Sequence, residues 1–226
     1  MTPNSVGQSA KKFPGELNRT ERRRQKTRAN LIAAVRKLTA DKGVDALTIR
    51  DIAEEADIAM GGFYNHFESK EALLKVAVEE ILFQSGEIID AINAQCDDPL
   101  EVIARAFMTF DGLIQNDPIL GWFVVRVSAH NPELTESLSR RFSRDVRHGV
   151  ETGQFVISNI PLAIDLAGSS LFTFYRARLS GRAKGDSVPE FVHMMLRLLG
   201  AKERAGKATA DRVWKLIEGE RKEQGK

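Results

Sequence analysis

The chain has 226 residues, a net charge of only +2 and 42% hydrophobic residues. That content excludes an intrinsically disordered protein, and the length suits one large domain or a small one joined to a medium one. Cys96 is the single cysteine, which excludes an intrachain disulfide and fits a reducing compartment.

Residues 1–17 mix Pro3, Pro14, Gly7 and Gly15 with polar and basic residues and read as a mobile basic arm. The first 30 residues hold no apolar segment, so no signal peptide is expected and the chain reads as cytoplasmic. They carry eight Lys or Arg against Glu16 and Glu21, the electrostatic footprint of a phosphate binder. Asn18 with Glu21 predicts the start of a first helix with Leu31, Ile32, Val35 and Leu38 on its apolar face, closed by Gly43.

Thr48 and Asp51 form a second capping box, and Ile49, Ile52, Ala53 and Ala56 follow at helical spacing. Asp57 and Ile58 fit a bend, with Asp57 capping another short helix over residues 59–66. Ser69 caps a long helix that is amphipathic through Leu73, Leu74, Ala77, Ile81, Ile88 and Ile92. A short helix set by a tight turn against its predecessor can lie in the major groove of double-stranded DNA. Side-chain chemistry then assigns roles. Arg50 can reach a phosphate or a guanine edge, Thr48 and Tyr64 can donate hydroxyls to phosphates, and Asn65 and Met60 suit base edges. Gly61 and Gly62 weaken a helix by about 1 kcal/mol each relative to alanine, so they serve either a close approach to DNA or close packing of two helices. Phe63 and Phe67 belong to the core.

Beyond Cys96, Asp98-Pro99, Asp117-Pro118 and Asn131-Pro132 each place a capping residue before a proline at the first helical position. Asn159 before Ile160-Pro161 is a looser version, and Ser187 to Glu190 reads as a capping box. No segment alternates with period two, so the fold class is all-α. Residues 155–175 carry one charge, Asp165, but Asn159 and Pro161 leave too short an uninterrupted helix to span a bilayer. Residues 201–226 read as a charged peripheral helix and tail around Val213, Trp214, Leu216 and Ile217.

Residues 20–74 resemble the DNA-binding domain of the TetR family of transcriptional regulators. The pattern is a helix ending in Gly43, then Thr48, Ile52 and Ala53, then Gly61, Tyr64 and Phe67, closed by Ser69 to Leu74. The resemblance implies DNA-backbone contacts from Tyr64, His66 and Lys70. Ala59 departs from it, since the family often has Ser or Thr there to cap the recognition helix. The implied organisation is an arm (1–17), a three-helix helix-turn-helix domain (18–70), a larger helical ligand-binding and dimerisation domain (71–200) and a charged C-terminal helix (201–226). The implied function is a homodimeric repressor released from its operator by a small molecule. The alternatives are an activator, a regulator without ligand, or a helical small-molecule-binding or di-iron protein without DNA binding.

Within the larger half, Phe107, Trp122, Phe123, Phe172 and Tyr175 place aromatics near Arg126, Arg176 and Arg178. Few polar groups among many apolar ones describe a site for a small apolar or amphiphilic ligand, anionic or hydrogen-bond accepting. Gly168, Ser169 and Leu171 permit close helix approach and, with His193, are the dimer-interface candidates. Glu190 and His193 form one Glu-x-x-His pair of the di-iron type, but the nearest second pair, Asp145 and His148, has the wrong acid, so no metal or cofactor is assigned. No phosphate-binding loop or nucleophile elbow is present, and no enzymatic activity is expected.

Overall fold

The computed structural model describes residues 18–94, 96–130 and 136–224. Among them the chain forms ten helices and no strand: α1 (Arg19–Lys42), α2 (Ile49–Glu55), α3 (Met60–Phe63), α4 (Lys70–Asn93), α5 (Pro99–Asn116), α6 (Pro118–His130), α7 (Glu136–Glu151), α8 (Ile160–Leu179), α9 (Ser187–Leu198) and α10 (Glu203–Gln224). Local chemistry sets most of their starts. Asn18 and Glu21 exchange reciprocal hydrogen bonds at 2.8 and 2.7 Å, and Thr48 and Asp51 repeat the device at α2. Ser69, Asp98, Asp117 and Asn159 each accept from an amide of the turn they begin. Gly43 ends α1 at φ +85° with its N–H on the Thr39 carbonyl. The proposed start at Asn131-Pro132 lies outside the described residues.

Four expectations change. Asp57 does not cap α3: it occupies the bend itself at φ +55°, a left-handed conformation that Asp tolerates better than most residues. Ala59 is the N-cap and offers no side-chain hydrogen bond, and α3 is a single turn rather than a helix over residues 59–66. Ser187 is not a cap either. The chain enters α9 through helical Asp186, and the Ser187 and Val188 amides donate to the Lys184 and Gly185 carbonyls instead. Nor is α10 peripheral. Ala210 and Val213 are fully buried, and Arg212 reaches Glu101 of α5 at 2.5 Å.

Two hydrophobic clusters fill the molecule. The first joins α1–α4 to α6 and to Tyr175 of α8; the second joins the first half of α5 to α7–α10. Leu171 and Phe174 touch both. Each fully buried large side chain contributes about 1.5–3 kcal/mol of transfer free energy. The first cluster therefore does not stop at residue 70: α1 lies against α6, where Phe123, Val124 and Val127 are buried. Arg36 of α1 pairs with Asp117 at 3.2 Å, and Arg126 of α6 donates to the Thr39 carbonyl at 3.1 Å. Helix α4 follows α3 in the chain and runs 24 residues, about 36 Å, into the second half of the molecule.

Candidate DNA-reading surface and ligand cavity

The reading surface is built on a ring stack. Phe63, fully buried, meets Tyr64 edge-on at 5.4 Å and Phe67 at 6.2 Å. Tyr64 is thereby braced while 55% exposed, and Met60, one turn earlier, is 54% exposed. Arg50, Gly61 and Asn65 are exposed beside them. A β-carbon at Gly61 would meet nothing within 4 Å, and one at Gly62 would make only ordinary contact with Ile58. Tight helix packing is therefore not what these glycines serve; they leave the outer face of α3 bare.

His66 is half-buried. Desolvation, then the charges of Arg24 and Arg28, hold its imidazole below the usual histidine range, so it is a neutral group that an approaching phosphate would help to protonate. Lys70 donates to the Val44 and Leu47 carbonyls at 3.3 and 3.0 Å. Two of its three protons tie α4 to the loop before α2, and one remains for a phosphate. The Thr48 hydroxyl donates to Asp51 at 2.7 Å, a bond that heads the causes holding that carboxyl below its ordinary range. Thr48 thus acts first as a cap. Arg28 pairs with Glu80 at 2.7 Å and lies over the Phe67 ring, so it fastens α1 to α4. Arg19, Arg22, Arg23, Arg24 and Lys26 stay exposed on the first turns of α1.

A cavity of about 670 Å³ opens between α4, α5, α6, α7 and α8. Phe107, Phe110, Phe142 and Phe172 supply apolar wall; Asp90, Arg141 and Asp145 gather as polar groups, and Asp165 and Arg176 of α8 also line it. Of the aromatics proposed from sequence, Phe107 and Phe172 line it. Trp122, Phe123 and Arg126 do not: Phe123 is fully buried in the first cluster, and Arg126 sits 5.2 Å over the Trp122 ring while bonded to α1. Tyr175 lies beneath the wall, donating to the Phe107 carbonyl at 3.1 Å. Burial, then the Asp111 charge, pushes its phenol well above the ordinary value, which keeps it a neutral donor. Arg178 makes a two-pronged pair with fully buried Asp111, at 2.9 and 3.2 Å, and is lost to any ligand.

Gly168, Ser169 and Leu171, read as interface residues, line the α8 side of the cavity. His193 is buried against α10, its Nε2 3.4 Å from Glu203, so it is not a surface residue. Asp90, Arg141, Phe142 and Asp145, which sequence reasoning did not assign to a ligand, carry no local signature that points to one. Among the described residues no group of three or more His, Cys, Asp or Glu could hold a metal, and no helix is long and apolar enough to cross a membrane.

Two family models match the chain. "Bacterial regulatory proteins, tetR family" covers residues 31–77, and "Tetracyclin repressor-like, C-terminal domain" covers residues 98–212. The HTH-type transcriptional repressor KstR2 of Mycolicibacterium smegmatis is 33% identical over 81 residues, 36% of this chain and 40% of that protein. An uncharacterized HTH-type transcriptional regulator of Haemophilus influenzae is 27% identical over 129 residues, 57% of this chain and 62% of that protein. The matches thus span less than two thirds of these curated relatives. Among solved structures, RolR in complex with the ligand resorcinol is 34% identical with a TM-score of 0.67, covering 84% of this chain and 96% of that one. A gamma-butyrolactone receptor, 19% identical with a TM-score of 0.64, covers 85% of this chain and 98% of that one and shares the fold.

Proposed function

Because the chain belongs to the TetR family of bacterial regulatory proteins, we propose that it is a homodimeric repressor that leaves its operator when a small hydroxylated aromatic compound fills the cavity. The observation that carries this reading is the path of α4. Leu73 and Leu74 are buried in the reading head's cluster, while Gly86, Ile89 and Asp90 of the same unbroken helix form cavity wall. A dimer docks two recognition elements at half-sites a fixed distance apart, so moving α4 in each protomer changes that distance. The ligand shifts the equilibrium only by binding the DNA-incompetent arrangement better.

The polar groups of the cavity refine the ligand. An anionic or hydrogen-bond-accepting amphiphile was the expectation from Arg126, Arg176 and Arg178; of these only Arg176 lines the cavity, where three acids, Asp90, Asp145 and Asp165, outnumber Arg141 and Arg176. A carboxylate would meet like charge there. A phenolic hydroxyl can donate to a carboxylate and accept from the guanidinium at once. RolR, the relative solved with resorcinol, supports the same class. For the dimer, Leu162 and Leu166 of α8 and Met194 of α9 are about half exposed and supply apolar area beside Gly168 and Ser169. Leu166→Glu should give monomers on sedimentation with helicity intact.

The test is fluorescence anisotropy with a duplex taken from upstream of the protein's own gene. Binding should weaken steeply with added salt and be reversed by resorcinol or a related phenol. Salt-indifferent binding would remove the operator from the reading; operator binding that no phenol disturbs would remove the ligand.

A further inference from the structure

Gly86 is the single glycine of α4, at a mid-helix position where alanine would be more favourable. A β-carbon there would stand 2.8 Å from the Cζ and Nε of Arg141 and 3.1 Å from its Cδ. The α7 guanidinium therefore lies across the α4 backbone in a notch from which a β-carbon would displace it. From the notch Arg141 pairs with Glu87 at 2.9 Å and with Asp90 through its other terminal nitrogen. Arg144, three residues on, takes the second oxygen of Asp90 at 3.3 Å and Asp145 at 2.9 Å. Asp90 and Arg141 both line the cavity; Glu87 does not.

We propose that Arg141, seated over Gly86, is the positioning residue that couples the cavity to the reading head. It fastens α7 to α4 in the DNA-competent arrangement, and a ligand hydroxyl that engages Arg141 and Asp90 draws the guanidinium out of the notch. The device rests on the repressor reading above and states how that repressor is released. Its chemistry is an exchange of hydrogen-bond partners: Arg141 gives up carboxylate oxygens on α4 and gains a hydroxyl, while Asp90 accepts the hydroxyl proton in place of the guanidinium's.

Two variants of the full-length protein separate this device from plain packing. Gly86→Ala fills the notch; Glu87→Gln weakens the pair and keeps every cavity-lining side chain. Operator affinity is read by anisotropy, resorcinol affinity by calorimetry, and melting by circular dichroism. In both variants operator affinity should fall by about tenfold without ligand and resorcinol affinity should rise, because weakening the DNA-competent state favours the other. Gly86→Ala should do so while melting no lower than the parent. Unchanged operator affinity in both variants overturns the proposal whatever resorcinol does, and so do DNA and ligand affinities that fall together with the melting temperature. If the parent binds operator but ignores resorcinol, the ligand assignment fails alone, and Arg141 is still judged on the operator affinities of the two variants.

Discussion

The reading head and the cavity wall hold their working groups in opposite ways. At the head, exposed side chains stand on a one-turn helix over Phe63 and Phe67, and capping bonds between residues three apart set the geometry. At the cavity, five helices each contribute a few groups, and the ties that place them join residues more than 50 positions apart, as Arg141 does to Asp90 and Arg178 to Asp111. Small local segments make the head rigid. The cavity exists because packing is left incomplete, so its shape depends on pairs that a ligand can contest. One part is built to stay fixed and the other to be disturbed.

The sharpest way to break this contrast is through its most buried tie. Asp111→Ala leaves Arg178 charged and unpaired between α5 and α8, and should cost about 3–5 kcal/mol in urea unfolding. A loss below about 1 kcal/mol would mean the pair does not hold the wall. At the head, Arg50→Ala should cost about 1–3 kcal/mol of operator binding and relax sequence preference if it reads a guanine, with the melting temperature unchanged. Equal weakening on random DNA would reduce Arg50 to a phosphate contact. In the cavity, Phe172→Ala should weaken resorcinol by roughly tenfold through lost apolar area, whereas Trp122→Phe should stay within about twofold. The reverse order would return the site to α6.

Smaller effects sharpen the local side of the comparison. Thr48→Ala removes a cap and should lower stability by about 1 kcal/mol, seen as a shifted denaturation midpoint. His66 tests charge. Its pKa is depressed in the free protein, and a phosphate would raise it in the complex, so the complex holds more protons and operator affinity should climb as pH falls from 8 toward 6. The gain should be about 0.2–1 kcal/mol and vanish in His66→Gln. Folding runs the other way, since the unfolded chain protonates this imidazole more readily and its contribution to stability is lost as pH drops below the unfolded value.

Legibility in the sequence followed the same division. Asn18 with Glu21, Thr48 with Asp51, and Ser69, Asp98, Asp117 and Asn159 ahead of their helices could be read because donor and acceptor lie within three residues. Asp57 was read rightly as part of the bend, and only its capping role misled, because an aspartate before a helix suits a cap and a left-handed bend equally. Ser187 misled because the preceding turn, with the Ser187 and Val188 amides on the Lys184 and Gly185 carbonyls, had already made it the first residue of the helix. Of the arginines proposed for the cavity Arg176 lines it, whereas Arg126 lies elsewhere and Arg141 went unnamed. Arg126 and Arg141 are each near aromatics in sequence, and only the fold sends one to the Thr39 carbonyl and the other across Gly86. Asp111 with Arg178, 67 positions apart, had no local trace.

The seam between α1 and α6 bears on any attempt to trade parts among such regulators. Specificity is commonly imagined as a cassette that can be excised and grafted onto another sensor. Here the cassette's floor is Phe123, Val124 and Val127 of α6, its side wall is Arg36 against Asp117, and the last turn of α1 is capped from outside by Arg126. A graft ending at residue 70 would set α1 against a stranger's helix and leave Arg36 without Asp117 and the Thr39 carbonyl without its guanidinium. A working hybrid would have to carry the α6 surface along with the recognition turn, exchanging two stretches of chain that lie far apart in sequence and make one joint in space.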